Sequence, residues 1–82
     1  MAQSLISRIK FPSGRQRAFL LQAQEKLLWT KRRVADFIGV HTRTLNDWEN
    51  ERLLMNFEAA KKLSKASHIT LSDDVEIRDR YW

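Results

Sequence analysis

TKRRVADFIGVHTRTLNDWEN, residues 30–50, decides how this chain folds. Val34, Phe37 and Ile38 recur at i, i+3 and i+4 and so share one face of a helix, and Leu45 and Trp48 repeat the spacing one element later. Between the two faces stands Gly39, a residue that ends a helix in the left-handed conformation without steric penalty. Val40 follows it, placed to plug the angle between the helices. Two short helices joined by a tight turn are therefore predicted. The outward positions of the second helix, Thr42, Arg43, Asn46, Asp47 and Asn50, are all hydrogen-bonding groups, and Thr, Asn and Asp are mediocre helix formers. A requirement other than helix stability selects them.

The start of the first of these helices carries a second anomaly. Thr30 is an N-cap residue, and the positive end of the helix dipole favours acids just after it. The chain places Lys31, Arg32 and Arg33 there instead, with Arg33 where a capping box would put Glu or Gln. Like charge at that end costs some tenths of a kcal/mol, about 0.3–1. A docked phosphate would reverse the sign, because a helix N-terminus with cations nearby is a natural anion site. The plain alternative is a solvated cluster of surface charges; beside the turn motif, the anion site is the better reading.

The same run resembles the helix-turn-helix of the phage-repressor class, the XRE or lambda-repressor-like family. That family's pattern is Thr, a polar pair, a Leu-Ala helix, Gly-Val-Ser, then a Thr-Ile or Thr-Leu helix ending in Trp-Glu. The matching positions are Thr30, Val34, Ala35, Ile38, Gly39, Val40, Thr44, Leu45, Trp48 and Glu49. A weaker likeness extends from Arg17 to Leu71. The resemblance implies an all-α, compact four-helix domain that binds double-stranded DNA through its third helix, with Thr42, Arg43 and Asp47 touching base edges. It places Lys31, Asn50 and Arg52 on phosphates. Asn46, on the same outward face, joins the base-reading set, while Arg17, Arg32, Arg33 and His41 join the phosphate set. Three positions depart from the pattern. His41 replaces the usual Ser N-cap, so either the cap shifts to Thr42 or the His meets a phosphate. Glu51 stands where Gly commonly follows the recognition helix, and the later Pro is missing, so the loop ERLLM is built differently. Asp47 faces phosphate repulsion; it either accepts a hydrogen bond from cytosine N4 or braces Arg43 or Lys31.

Composition sets the outer limits. A chain of 82 residues supports one hydrophobic core, burying about 60–65% of its unfolded surface, so stability is modest and a partner or dimer would add to it. There are no cysteines, hence no disulfides or thiolate metal sites. No apolar stretch approaches a membrane span, and MAQSLISRIKF lacks the apolar core of a signal peptide, so a soluble cytoplasmic protein without membrane partners is expected. The net charge of +5 is uneven: residues 1–33 carry net +7 and residues 34–82 net −2. A polyanion suits the basic half, and a membrane surface is the weakest such partner because no exposed Trp or Leu stripe opposes a Lys-rich one.

Helices are expected on both sides of the motif. Ser13 with Gln16 forms a capping-box start, and Phe19, Leu20, Ala23 and Leu27 make the apolar stripe of a first helix over residues 14–28. Asn56 can cap a fourth helix with Phe57, Ala60 and Leu63 inward and Lys61, Lys62 and Lys65 outward; His68 suits its left-handed end. Trp29 and Trp48 read as core aromatics. The whole chain is taken as one domain, residues 1–82, with a core at 13–71 and terminal extensions at 1–12 and 72–82. Those extensions alternate like strands, with Leu5, Ile9 and Phe11 opposite Arg8 and Lys10, and with Val75, Ile77 and Tyr81 on one side. Paired, they form a short two-stranded antiparallel ribbon favoured by Arg8 and Lys10 against Asp74 and Glu76. Such a ribbon is marginal alone, so it packs on the helices or is shared in a homodimer through the terminal segments; the alternative is two frayed tails.

Catalysis has little support. The two histidines lie on different elements, no Gly-rich phosphate loop or nucleophile elbow occurs, and Asp73 and Asp74 diverge as sequence neighbours. Not an enzyme, no metal and no cofactor are the expectations. The leading reading is sequence-specific binding of double-stranded DNA, as in a transcriptional regulator. Two others stay open: a protein-interaction module such as an antitoxin or antirepressor subunit, and the DNA-targeting domain of a larger mobile-element protein. RNA binding is disfavoured, since no exposed aromatic sheet motif is visible.

Overall fold

A buried glutamine, not a capping serine, sets how the first helix sits. In the computed structural model, which describes residues 6–71 and 73–80, α1 runs Arg15–Leu27 with Gly14 at its N-cap in the left-handed region, φ 82°. Ser13 makes no cap, which corrects the capping-box expectation: Gln16 is only 4% exposed and turns inward with Phe19, Leu20 and Ala23. The i, i+3, i+4, i+7 stripe is thus one residue longer than its apolar members, and its first position is polar.

The predicted motif forms as two eight-residue helices, α2 (Lys31–Ile38) and α3 (Thr42–Glu49). Thr30 caps α2, its Oγ1 accepting from the Arg33 N–H at 3.1 Å. Gly39 closes it at φ 76°, with the Gly39 and Val40 N–H groups donating to the Asp36 and Ala35 carbonyls. Val40 is half-buried and packs against the core, as its place in the angle requires. Val34, Ala35, Ile38, Leu45 and Trp48 are buried together with the α1 stripe.

After α3 the chain enters a strand the sequence did not announce. β1 (Ile6–Lys10) is the middle of a three-stranded antiparallel sheet, ordered β2-β1-β3, in which β2 is Met55–Asn56 and β3 is Glu76–Arg80. The all-α expectation and its two-stranded ribbon are corrected accordingly. The pairing of the two terminal segments does form, with Ile9 opposite Ile77 and Lys10 opposite Glu76, but the expected charge match is corrected at Arg8, which faces Arg78, while Asp74 precedes β3 and lies 3.5 Å from Arg15 instead. The third strand comes from the ERLLM loop: Met55 pairs with Ile9 and Asn56 with Arg8, and two residues are too few to show a period of two. Opposite residues share a sheet face, so Ile9 and Met55 enter the core together, both 0% exposed. Ile77 lies on the same face but is 44% exposed, because α4 packs chiefly on β1 and β2 and leaves β3 largely uncovered. Phe11 extends the apolar side by stacking on Phe19 at 5.6 Å. Leu5 and Tyr81 lie outside the described residues.

α4 (Phe57–Ser67) follows β2 directly. Asn56 Oδ1 accepts from the Glu58 and Ala59 N–H groups at 2.8 and 3.4 Å, and His68 ends the helix at φ 60°, both as the sequence indicated. Ala60 and Leu63 are fully buried. Trp48 is 2% exposed and core, with its indole Nε1 buried and without a hydrogen-bond partner; Trp29 is half-buried at the core's margin. Among the described residues no helix is long and apolar enough to cross a membrane.

Candidate nucleic-acid interface

α3 presents its polar side to solvent because its other side is packed on α1 and α2. Leu45, Trp48 and Glu49 fall at i, i+3 and i+4 and are all buried, which leaves Thr42, Arg43, Asn46 and Asn50 exposed on the opposite side. Asp47 is half-buried between the two faces. The N-cap position is His41, extended at φ −73°, and its side chain makes no cap; Thr42 is already helical, so the expected shift of the cap to Thr42 does not occur. The exposed His41 ring and the first-turn N–H groups of α3 therefore stand side by side without a capping side chain.

Two carboxylates on α3 have partners the sequence did not identify. Asp47 Oδ1 accepts from Arg52 Nη1 at 3.0 Å, not from Arg43 or Lys31, so that brace is corrected. The pair is local, five residues apart, and the Arg52 N–H also donates to the Asp47 carbonyl at 2.9 Å. Glu49 is the second: its side chain is 7% exposed, and Lys31 Nζ lies 2.7 Å from its Oε1. A buried carboxylate without a cation is strongly unfavourable, so this contact ties the start of α2 to the end of α3. Lys31 and Arg52, both assigned to phosphates, are thus already neutralised by acids of α3. Asn50 is likewise engaged, its Nδ2 donating to the Asn46 carbonyl at 2.9 Å where the helix ends.

The remaining cations differ. Arg32 and Arg43 are exposed and make no ion pair with another described residue. Arg33 is exposed but ordered, its guanidinium 4.8 Å above the Trp29 ring. Arg17 is exposed in the first turn of α1, where its N–H donates to Glu51 Oε2 at 3.1 Å. No acid stands in the first turn of α1, α2 or α3.

Glu51 explains its own departure from the family pattern. It adopts the left-handed conformation at φ 58° where Gly would be easier, and its carboxylate accepts from the Gly14 N–H at 2.9 Å as well as from Arg17. This residue just past α3 thereby caps α1 from 37 positions away, supplying the acceptor that Ser13 does not. Gln16 completes the join. Its Nε2 donates to the Trp48 carbonyl at 2.8 Å and the Leu53 carbonyl at 2.9 Å, and its Oε1 accepts from the Met55 N–H at 3.1 Å. These two residues fasten the C-terminal end of α3 and its loop to α1. Sequence reasoning missed Gln16, Glu49 and Glu51 as positioning groups. For the first two a signal existed, because each occupies an inward position of an otherwise apolar stripe.

Among the described residues no group of three His, Cys, Asp or Glu gathers as a metal site. The arrangement is a rigid polar helix face flanked by cations, which suits reading a polyanion by contact. A family model described as helix-turn-helix matches residues 20–73, about two thirds of the chain, from within α1 through α2, α3, β2 and α4. It leaves β1 and β3 outside. No curated protein and no solved structure matches the chain.

Proposed function

We propose, for a chain that belongs to the lambda-repressor-like (XRE) helix-turn-helix family of DNA-binding domains, that α3 enters the major groove of double-stranded DNA and reads a specific sequence, in the service of transcriptional regulation. The observation that carries this is the exposed face of α3: Thr42, Arg43 and Asn46 are polar, open to solvent and held on a helix whose other face is buried. Arg43 is the main base contact, a bidentate donor to guanine O6 and N7 worth about 1–3 kcal/mol of discrimination. The Thr42 methyl meets a thymine methyl, and Asn46 offers a bidentate pair to adenine. Asp47, with its charge balanced by Arg52, accepts from cytosine N4 without the full repulsion of the phosphates.

Backbone contacts fall to Arg17, Arg32, Arg33 and His41, which fix register and carry no sequence information. Lys31, Asn50 and Arg52 reach phosphates only by sharing with their present partners. The homodimer through the terminal segments belongs to the same reading. β3 is paired on one side only among the described strands, and two-fold copies would space half-sites about one helical turn apart. The test is selection from random duplex pools with wild type and Arg43→Ala. An enriched motif that loses one guanine in the variant supports base reading by α3. Uniform weak binding by both proteins refutes it.

A further inference from the structure

Three lysines of α4 take no part in that reading, yet they are not scattered. Lys61, Lys62 and Lys65 line a groove of about 640 Å³ whose opposite wall is the motif's own turn, Gly39 and Val40. The one acid in its lining, Glu58, is paired with Lys61 at 3.2 Å, which leaves the groove net positive by two. Two of the ammonium groups are held over rings: Lys61 Nζ is 4.9 Å from the Phe57 centroid and Lys62 Nζ 5.0 Å from that of Phe37. Phe37 meets Trp29 edge-on at 5.1 Å, and Trp29 carries Arg33. A ladder of cations on aromatic faces therefore joins the basic start of α2 to α4.

We propose that this groove is a second phosphate-backbone site, which holds one of the strands bordering the major groove that α3 enters. The proposal rests on the DNA-binding reading. Val40 lies two residues before Thr42, so their Cα atoms are within about 7.6 Å. A helix centred in a groove about 12 Å wide has a phosphate strand about 6 Å to either side, a reach comparable to that from the start of α3 to Val40, which lines the lysine groove. The row is also long enough. Lys61 and Lys65 continue into an adjoining groove of about 540 Å³ beside His68. Seven residues of helix from Lys61 to His68 span about 10 Å, against a phosphate every ~3.4 Å of axis along one strand. Charge, spacing and place agree on a nucleic-acid backbone, whereas an acidic protein segment would match the charge alone.

The experiment is a salt series of anisotropy titrations on a fluorescent mixed-sequence duplex, where phosphate contacts supply nearly all the affinity. Replacing Lys61, Lys62 and Lys65 together by Gln is expected to reduce the slope of log K against log salt by about 2, at roughly 0.9 for each phosphate no longer neutralised. The motif selected by α3 stays the same. The triple Lys→Arg variant keeps the wild-type slope, and Glu58→Gln tightens binding several-fold, about the effect of removing one like charge from the site. A Gln triple variant with native circular dichroism and an unchanged slope overturns the proposal and leaves the groove to an acidic protein. So does a Glu58→Gln variant that binds no tighter. A wild type that binds no duplex at any salt overturns the DNA-binding reading and this proposal together.

Discussion

Replacing Gln16 by Met tests whether one buried amide holds α3 in place. The substitution keeps the side chain's length and removes both polar ends, so its effect is the sum of what three backbone groups lose. The Met55 N–H loses its only side-chain acceptor, and Met55 is 0% exposed, so the group is stranded at about 1–3 kcal/mol. The Leu53 carbonyl is partly buried and reachable by water, which limits its loss to about 1 kcal/mol. The Trp48 carbonyl still receives the Glu51 N–H at 3.1 Å, so it loses less, about 0.5 kcal/mol. The total is about 3 kcal/mol, set against a stability of about 4–12 kcal/mol for a domain of this size. Urea titrations read by circular dichroism should show the midpoint fall without a change of slope, and Tm should drop by roughly 12–24 °C. Hydrogen exchange should speed most at the Met55 amide. A loss below about 1 kcal/mol would refute the assignment of α3's anchoring to this network.

The ion pair of Lys31 and Glu49 makes a second test, because it separates a structural cation from a phosphate ligand. Lys31→Met strands a carboxylate that is 7% exposed and should destabilise the fold by about 1–2 kcal/mol, reduced from the fully buried value because Lys31 is half exposed. Adding Glu49→Gln should recover most of that stability in denaturant titrations; no recovery would mean that Lys31 does not serve Glu49. Glu51→Ala keeps the positive φ and deletes the α1 cap, for an expected loss of about 1–2 kcal/mol in the same assay, and an unchanged midpoint would show that the two N–H groups are satisfied by water.

How much of this was legible in the chain follows from how local each cause is. The α2–turn–α3 unit was readable because its signals act over a few residues: apolar spacing, the Thr30 cap, the left-handed Gly39 and the His68 end each report on their own turn of backbone. The pairing of the chain ends was readable from alternation, but the charge argument held at one position only: Lys10 stands opposite Glu76, whereas Arg8 stands opposite Arg78 and donates instead to the Leu54 carbonyl at 3.0 Å. β2 was not, since a two-residue strand exists only because Ile9 and Arg8 arrive beside it. Ser13 carried a valid local cap signal and still lost to Glu51, whose carboxylate comes from the loop after α3.

The candidate interface divides the same way. The sequence by itself determined which residues face outward on α3, because a helix of period 3.6 with Leu45 and Trp48 inward leaves Arg43 and Asn46 nowhere else to point. It also determined that the basic charge concentrates before residue 34. Only the tertiary structure decided which cations of the candidate interface are paired with acids. Lys31 and Arg52 look like Arg32 and Arg43 in a string of letters, yet the first two sit against Glu49 and Asp47 while the others do not. The reason is that partners such as Lys31 with Glu49, or Gln16 with Met55, are set by how the helices cross, and a crossing is the outcome of packing a whole core, which no single stretch of chain specifies.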